Sequence, residues 1–510
     1  MKYKLLTLFT FLFPFLIFSQ EVGLDQQIDQ AFKPISDFFS AVIFFNVWHD
    51  PDIPFVLVLL VGSAMFFTLY FGFPNIRFFG KAINTVRGKY EDIEKHGAQN
   101  LYGEDGIAQG QDLSNVDIED HLVSMENDLA IDGDIIDTIR DESSDGEVSH
   151  FQALATAVSG TVGNGNIAGV ALAIALGGPG ATFWMIVCGL LGMSTKFVEC
   201  TLGVQYRDVG EDGTVYGGPM YYISKGLKER GFKNLGKVAA VIFAIFCIGG
   251  SFGGGNAAQS NQATIVIKEL FNWQSTAAGA IVGLVLAILV GVIIIGGIKR
   301  IAQVTEKVVP FMAVMYVVAC LYIIISNYSL VDNAIALIVD EAFKPTAIGV
   351  GSLIGVLLVG FKRAAFSNEA GAGSASIFNF GGAFTYGGDG TGSVLIDGVP
   401  YEGAGITAVA FAEYIPYSNV FLTIAVVLFA VSTMISWSYY GLQSWKFLFG
   451  RGKTADMVYK LLFCTFIVIG AAASMKSIWD FSDAMIFAMV FPNMVGLFFL
   501  FPVVRKQLNR

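Results

Sequence analysis

The amino-acid sequence predicts an all-α polytopic membrane protein. Of its 510 residues, 54% are hydrophobic and only 14% are charged, and the mean hydropathy is +0.62. Soluble proteins carry about 25% charged residues, so this chain has too few charges to cover a surface that faces water on all sides. Ten apolar segments are predicted to be membrane spans. Glycine, with 58 residues, suits helices that pack closely in a bilayer.

The N-terminal region precedes the main block of apolar segments. In "MKYKLLTLFTFLFPFLIFSQ", two lysines stand before a short apolar run and polar residues follow it, which predicts a cleaved signal peptide over residues 1–20; an uncleaved anchor is the alternative. Residues 21–90 are expected to hold a periplasmic segment and a first transmembrane helix from Pro54. The basic residues after this helix place its end in the cytoplasm. They are Arg77, Lys81, Arg87 and Lys89.

Residues 91–150 form an acidic insert on the cytoplasmic side. Between Glu91 and Glu147 there are 18 acidic residues against Lys95 and Arg140, which gives this stretch a charge of −16 and leaves the remainder of the chain at about +5. Its "DLAIDGDIIDTIRDE" lacks the glycine and glutamate spacing of an EF-hand. We therefore expect a solvated spacer or regulatory insert rather than a calcium site.

Residues 151–510 are predicted to form the core of the protein. Basic residues follow alternate apolar segments, as expected when successive spans cross in opposite directions. The segments are Gln152–Leu176, Ala181–Val204, Val238–Ser260, Thr276–Gly297, Val308–Ser326, Ala347–Phe366, Val420–Leu442, Val458–Ala473 and Ile478–Val504.

The connection between Phe366 and Val420 conflicts with the charge pattern of this core. If Lys362 and Arg363 mark the inner end of the segment that finishes at Phe366, the segment that starts at Val420 still has to begin outside. The intervening residues contain no run of about 18 apolar residues, the length that a spanning helix needs. The conflict indicates a missing span, an inverted tail or a crossing enclosed by protein, and the missing span is the interpretation we favour.

The stretch "TVGNGNIAGV", residues 161–170, places weak helix formers in the middle of a span. Asn164 and Asn166 are two residues apart, so a regular helix would point them to nearly opposite sides. The neighbouring glycines make unwinding inexpensive. Unwound backbone inside a membrane protein can offer carbonyls to sodium and N–H groups to a carboxylate. The alternative is a helix-packing motif that begins at Gly165, with asparagines that bond across helices.

Two further segments carry polar residues in apolar surroundings. Hydroxyl oxygens suit a hard alkali cation, and an indole can form the wall of a pocket for a small apolar side chain. The alternative is that Ser and Thr hydroxyls bond to carbonyls of their own helix. The residues are Asn256 and Gln259 near the end of one span, and Ser432, Thr433 and Ser436 before Trp437 in another.

Several long motifs resemble the alanine/glycine:cation symporter family. They include "TVGNGNIAGVALAIALGGPGATFWM", "KFVECTLGVQYRD", "IGGIKRIAQVTEKVVPFMA", "FSNEAGAGSA" and "SWSYYG", and the resemblance runs from Phe151 to the C-terminus and includes the first span. It implies a leucine-transporter-type fold, with two inverted five-helix repeats after an extra N-terminal span. Where the family continues into a seventh core helix, this chain runs from Ser376 into "FNFGGAF". The chain is therefore predicted to lack that helix.

The resemblance also assigns a substrate site and a cation site. The cation site would combine backbone around Thr161 and Val162 with the hydroxyls of Ser432 and Thr433. No cofactor is expected, and sodium, with a proton as the alternative, would be the coupling ion. The family usually has Thr where this chain has Asn164. The substrate residues would be Thr161, Gly163, Asn164, Gly165, Asn166, Gln259 and Trp437.

The predicted function is secondary active symport of alanine or glycine across a bacterial inner membrane. The alternative is a non-transporting remnant or an amino-acid-binding membrane protein of the same fold. An enzyme is not expected, because no nucleophile–base pair or metal-binding motif stands out, and nucleic acid is not an expected partner. Lys196 and Glu199, three residues apart, are predicted to form an interface ion pair rather than a proton relay.

Overall fold

The computed structural model describes residues 23–49, 52–87, 89, 138–139, 149–210, 215–344, 353–368, 393–396 and 399–508. The predicted signal peptide, nearly all of the acidic insert and the junction at Ser376 lie outside these residues. Within them the chain is mainly helical.

The N-terminal part packs against the rest of the chain as two helices, a hairpin and two short helices. The elements are α1 (Leu24–Ile43), β1 (Asn46–His49), β2 (Asp52–Pro54), α2 (Phe55–Phe71), α3 (Pro74–Arg77) and α4 (Phe79–Val86). Strands β1 and β2 are antiparallel. A second sheet has the order β3-β4-β5, formed by Thr138–Ile139, Asp208–Gly210 and Val215–Tyr216.

The first half of the core contains one broken helix and several continuous ones. The elements are α5 (His150–Thr161), a 3₁₀ turn (Asn164–Asn166), α6 (Ala168–Gly177), α7 (Gly180–Gln205), α8 (Pro219–Glu229), α9 (Lys233–Phe252), a π turn (Gly253–Ala257), α10 (Ala258–Leu270), α11 (Ala278–Ile294) and α12 (Gly297–Ser326).

The second half continues with the elements that enclose the broken helix. They are a 3₁₀ turn (Tyr328–Leu330), α13 (Val331–Phe343), α14 (Leu353–Asn368), β6 (Ser393–Ile396), β7 (Val399–Glu402), α15 (Ala404–Ala412), α16 (Ser418–Phe449), α17 (Lys453–Ala472) and α18 (Met475–Leu508). The β6–β7 hairpin packs against α6 through Val394 and Ala171.

The lengths and compositions of these helices confirm a multi-pass membrane protein. Among the described residues, six helices are long and apolar enough to cross a bilayer, and the bent pair α5–α6 makes a seventh. The helices α2 and α11 are apolar but have only 17 residues each. Side chains on α11 and α12, such as Leu284 (56% exposed) and Val314 (62% exposed), face outward from the bundle, as expected of a surface that contacts lipid.

The two ends of the bundle are distinguished by charge. Helix α18 finishes with Arg505 and Lys506 in its last turn, and Gln507 Nε2 lies 2.5 Å from Gln205 Oε1 at the end of α7. We call this the inner end, since basic residues favour the cytoplasmic side. The opposite end, where α18 begins, is the outer end.

The interpretation of Lys362 and Arg363 as inner-end charges is wrong. Arg363 is only 4% exposed and donates to the Asp483 carboxylate of α18, while Lys362 Nζ lies 3.2 Å from the same carboxylate. A charge paired inside the bundle says nothing about which side of the membrane a loop occupies. Helix α14 also brings Phe366 beside Gly254 in the middle of the bundle. Lys362 and Arg363 therefore do not show on which side of the membrane this segment ends, and the predicted topology conflict no longer has that support.

The predicted end of the span Val238–Ser260 is also wrong. Helices α9 and α10 run through the π turn as one 38-residue unit, which places Asn256 near its middle. The helix continues because its polar side chains find partners in α17: Asn256 Nδ2 donates to the Phe463 carbonyl at 2.7 Å, and Asn261 Nδ2 donates to the Gly470 carbonyl at 3.0 Å.

Candidate functional site

The backbone is unwound where the sequence predicts it. Helix α5 ends at Thr161, Val162 adopts φ −96° and ψ 83°, and the segments before and after the break make an angle of 57°. A Cβ on Gly163 would lie 2.4 Å from Thr433 Oγ1 and 3.0 Å from Gln259 Oε1. Only glycine fits at this position, because α10 and α16 both approach its bare backbone.

The amides near the break supply the hydrogen bonds that the unwound backbone lacks. Gly163 N donates to Asn166 Oδ1 at 3.1 Å, and Asn164 N donates to Gln259 Oε1 at 2.9 Å. Gln259 Nε2 in turn donates to the Gly254 carbonyl at 2.9 Å. Asn164 is 1% exposed, and its Oδ1 has no hydrogen-bond partner among the described residues. Asn166 thus stabilises the break within its own segment, while Asn164 Nδ2 donates to the Gln259 carbonyl at 3.3 Å and ties the break to α10.

A π turn in the neighbouring helix positions Gln259. The turn Gly253–Ala257 changes the hydrogen-bonding pattern of the helix, and the Gly254 carbonyl accepts from the Gln259 side chain. Such π segments often mark functional sites. A Cβ on Gly255 would lie 2.2 Å from Trp437 Cγ, so the indole packs directly on this backbone.

A second cluster of oxygens joins α5 to α16. Ser159 Oγ donates to the Ser432 carbonyl at 2.6 Å, and Thr433 Oγ1 donates to the Ser159 carbonyl at 3.0 Å. All three side chains are at most 1% exposed. Hydroxyl and carbonyl oxygens are the ligands that hard cations prefer, so this donor set fits an alkali cation. Thr161 lies two residues after Ser159, with its Oγ1 bonded to the Ala157 carbonyl of its own helix at 3.1 Å.

Sequence reasoning missed Ser159. It lies one helical turn before the break, on the face that α16 covers, and its spacing from Val162 is a signal that could have identified it. Val162 itself is partly exposed, and its N–H closes the last turn of α5 on the Val158 carbonyl at 2.7 Å. Of the two predicted hydroxyls, that of Thr433 reaches the end of α5, whereas Ser432 Oγ donates to the Phe429 carbonyl of its own helix at 3.0 Å.

A small cavity lies at the break and has a volume of about 10 Å³, room for roughly one water. Thr161, Gly163, Gly165, Gln259 and Thr433 line it, whereas Asn164, Asn166 and Trp437 do not. Sequence reasoning missed two apolar lining residues from distant helices. These are Phe366 of α14 and Ile486 of α18.

A larger cavity of about 470 Å³, the inner vestibule, extends from Gly218 near the inner end to Trp437 and Ile486. Trp437 Nε1 donates to the Gly160 carbonyl at 3.2 Å, so the indole separates the vestibule from the small cavity. The vestibule is large enough to hold an amino acid.

One wall of the inner vestibule is polar. The predicted pair is present, with Lys196 Nζ 3.7 Å from Glu199 Oε2. Asn493 Nδ2 donates to Glu199 Oε1 at 2.6 Å, and the Tyr222 hydroxyl donates to Asn493 Oδ1. Both charged residues and Asn493 line the vestibule, so the pair faces a water-accessible space rather than a sealed interface.

Comparison with known families gives a match over most of the chain. The sequence model described as the sodium:alanine symporter family matches residues 132–381 and 392–510. The chain belongs to this family. Membership makes this chain a transporter rather than an enzyme. The interruption of the match lies within sixteen residues of Ser376, next to the junction where the sequence predicts a missing helix.

Several relatives align with most of the chain. It is 36% identical over 500 residues to the sodium/alanine symporter AgcS of Methanococcus maripaludis, which covers 92% of this chain and 96% of the relative. It is 36% identical over 408 residues to YrbD of Bacillus subtilis, named as a putative sodium/proton-dependent alanine carrier, with coverage of 72% and 81%. It is 33% identical over 394 residues to GlnT of the same organism, a probable sodium/glutamine symporter, with coverage of 72% and 79%.

Proposed function

We propose that this protein is a secondary active symporter that takes up alanine or glycine with sodium across a bacterial inner membrane. One observation carries the proposal: the broken helix α5–α6 contributes to both polar sites. Its bare backbone at Gly163 faces Gln259 and the small cavity, and Ser159, one turn earlier, joins the oxygen cluster with α16. A single element that contacts both ligands can couple their binding.

The substrate carboxylate is proposed to bind the N–H groups at the start of α6. A half-helix N-terminus carries partial positive charge and leaves its first N–H groups without partners inside the helix, and Gly165, just before α6, lines the cavity. Gln259 holds the Asn164 N–H, and we assign it a contact with the substrate as well. Phe366 and Ile486 close the cavity on its apolar side, and at about 10 Å³ the cavity must widen before it admits an amino acid.

Sodium is proposed to bind between the Ser159 carbonyl, Ser432 and Thr433. An ion there would pull α5 and α16 together, since each helix contributes oxygens. Thr433 also lines the small cavity, and so it can transmit the presence of sodium to the substrate. Release then proceeds into the inner vestibule when Trp437 and Ile486 move apart.

The experiment that tests this proposal is alanine uptake by the full chain in proteoliposomes with an inward sodium gradient. We expect uptake that depends on sodium, and the double variant Ser432→Ala with Thr433→Ala should raise the sodium concentration for half-maximal uptake by about tenfold or more, because it removes two candidate oxygen ligands.

Ser438→Ala is the matched control for the double variant. Its hydroxyl lies on the same helix, is also buried and bonds only to the Ile435 carbonyl at 2.7 Å. It should leave the sodium requirement unchanged. An active double variant with normal sodium dependence would contradict the cation assignment, and uptake driven by a pH gradient alone would assign the coupling to protons.

A second candidate function is amino-acid binding without transport. The observation that favours it is the interruption of the family match between residues 381 and 392, beside the predicted loss of a core helix. Sodium-dependent alanine binding in detergent, with neither uptake nor counterflow in proteoliposomes, would favour this function over symport.

A further inference from the structure

A charged group lies directly outward of the small cavity. We define the outer charge cluster as Lys362 and Arg363 of α14 with Trp479 and Asp483 of α18. Arg363 comes three residues before Phe366, and Asp483 comes three residues before Ile486; these two apolar residues line the cavity. Residues three apart share a helix face, so the cluster occupies the next turn of both helices toward the outer end.

The charges in this cluster are paired unequally. Arg363 Nη2 and Lys362 Nζ both approach the Oδ2 of Asp483, the latter at 3.2 Å, so that one carboxylate opposes two cations. The side chains of Arg363 and Asp483 are 4% and 2% exposed. The Arg363 guanidinium also lies 5.1 Å from the centre of the Trp479 ring. Ionisable residues buried in a membrane span are costly and usually functional.

Three polar atoms of the cluster have no partner among the described residues. They are Arg363 Nη1, Trp479 Nε1 and Asp483 Oδ1. Buried polar groups nearly always have hydrogen-bond partners, so these three atoms, which belong to one cluster, call for a partner that the described residues do not supply. The set consists of two N–H donors and one carboxylate acceptor, and two of its three members carry full charge.

An amino-acid zwitterion complements these three atoms. Its carboxylate accepts from Arg363 Nη1 and Trp479 Nε1, and its ammonium group donates to Asp483 Oδ1. A simple anion would leave the Asp483 oxygen without a donor, and a simple cation would leave both N–H groups without an acceptor. The chemistry therefore favours a ligand that carries both charges.

We propose that Arg363, Trp479 and Asp483 form an outer station at which the amino acid binds before it reaches the cavity at the break. The identity of the ligand rests on the proposed function. In the conformation described here α14 and α18 are in contact, and the inner vestibule is the open side. The station binds substrate when the outer ends of these helices separate.

Trp479→Phe tests the station, because it keeps the ring and removes only the N–H. We expect the KM for uptake from the outer face to rise about 3- to 10-fold, the loss of one hydrogen bond. The KM for efflux from the inner face and the sodium requirement should stay unchanged. Both are measured in proteoliposomes of known orientation.

Trp445→Phe is the matched control. Its Nε1 also lacks a partner among the described residues, but it lies near the inner end of α16, so we expect no change in the outer KM. Alaninamide provides a second readout: as a competitor without a carboxylate, it should inhibit uptake by the Trp479→Phe variant as well as it inhibits the unmodified protein.

The outcomes separate this proposal from the proposed function. An unchanged outer KM, or equal changes of KM at both faces, overturns the station while leaving symport intact. Absence of uptake by the unmodified protein overturns the proposed function, and the station with it. If Trp479→Phe yields no folded protein, Arg363→Lys keeps the charge opposite Asp483 while removing Nη1, and the same one-sided rise in KM is expected.

Discussion

The inner and outer sides of the broken helix are built differently. On the inner side, a vestibule of about 470 Å³ reaches Trp437 and Ile486. On the outer side, Arg363 and Asp483 join α14 to α18, and the cavity between has only about 10 Å³. The inner barrier thus consists of two side chains, whereas the outer barrier is a buried ion pair with packed aromatic rings. This asymmetry is expected of a transporter that is open to one side.

The polar groups on the two sides differ in the same way. Glu199, in the inner vestibule, has Asn493 and Lys196 as partners. Asp483, in the outer charge cluster, leaves one oxygen without a partner among the described residues. The two carboxylates therefore differ in this conformation: both oxygens of Glu199 face a partner, while one oxygen of Asp483 keeps its hydrogen-bonding capacity for another conformation.

Breaking the outer ion pair should have the largest effect. Asp483→Asn leaves Arg363 buried without a counter-charge, and removing one partner of a buried pair costs about 3–5 kcal/mol. We expect a large fall in thermal stability in detergent. Asp480→Asn is the control, since its partner Lys476 is 77% exposed and Asp480 itself is 29% exposed, so that this pair is worth at most about 1 kcal/mol. Equal losses of thermal stability in the two variants would show that the buried pair of Arg363 and Asp483 contributes no more to stability than the exposed pair.

Filling the space at the break should have the next largest effect. The Cβ of Gly163→Ala would lie 2.4 Å from Thr433 Oγ1, so α5 and α16 must move apart. Overpacking of this kind costs about 1–3 kcal/mol, and we expect uptake to fall about 10- to 100-fold. Gly203→Ala is the control, because nothing lies within 4 Å of its added Cβ. Normal uptake by the Gly163 variant would contradict the close packing at the break.

Weakening the inner barrier should have the smallest effect. Trp437→Phe removes the hydrogen bond to the Gly160 carbonyl, 3.2 Å long, and keeps an aromatic ring over Gly255. The loss of one bond is worth about 0.5–1.5 kcal/mol. We expect a change of about 2- to 10-fold in the rate of release to the inner face, measured as efflux. A larger change in outer KM than in efflux would show that Trp437 belongs to the outer barrier.

The position of the break could be predicted because it depends on the residue types of one short segment. Glycines and asparagines in an apolar segment favour unwinding whatever surrounds them, and α5 ends at Thr161 as expected. The hydroxyls of Ser432 and Thr433 were likewise recognisable, since such residues interrupt a long apolar helix. Their contact with Ser159 was not, because it depends on how α16 packs against α5.

The sequence by itself determined the membrane-spanning character, the place of the break and the family, since each is a property of composition or of consecutive residues. The tertiary structure decided what the charges do. Lys362 and Arg363 look like residues of an inner loop, yet they bind Asp483, 120 positions beyond Arg363 along the chain. A side chain's surroundings depend on which helices pack against its own, and local sequence does not contain that information.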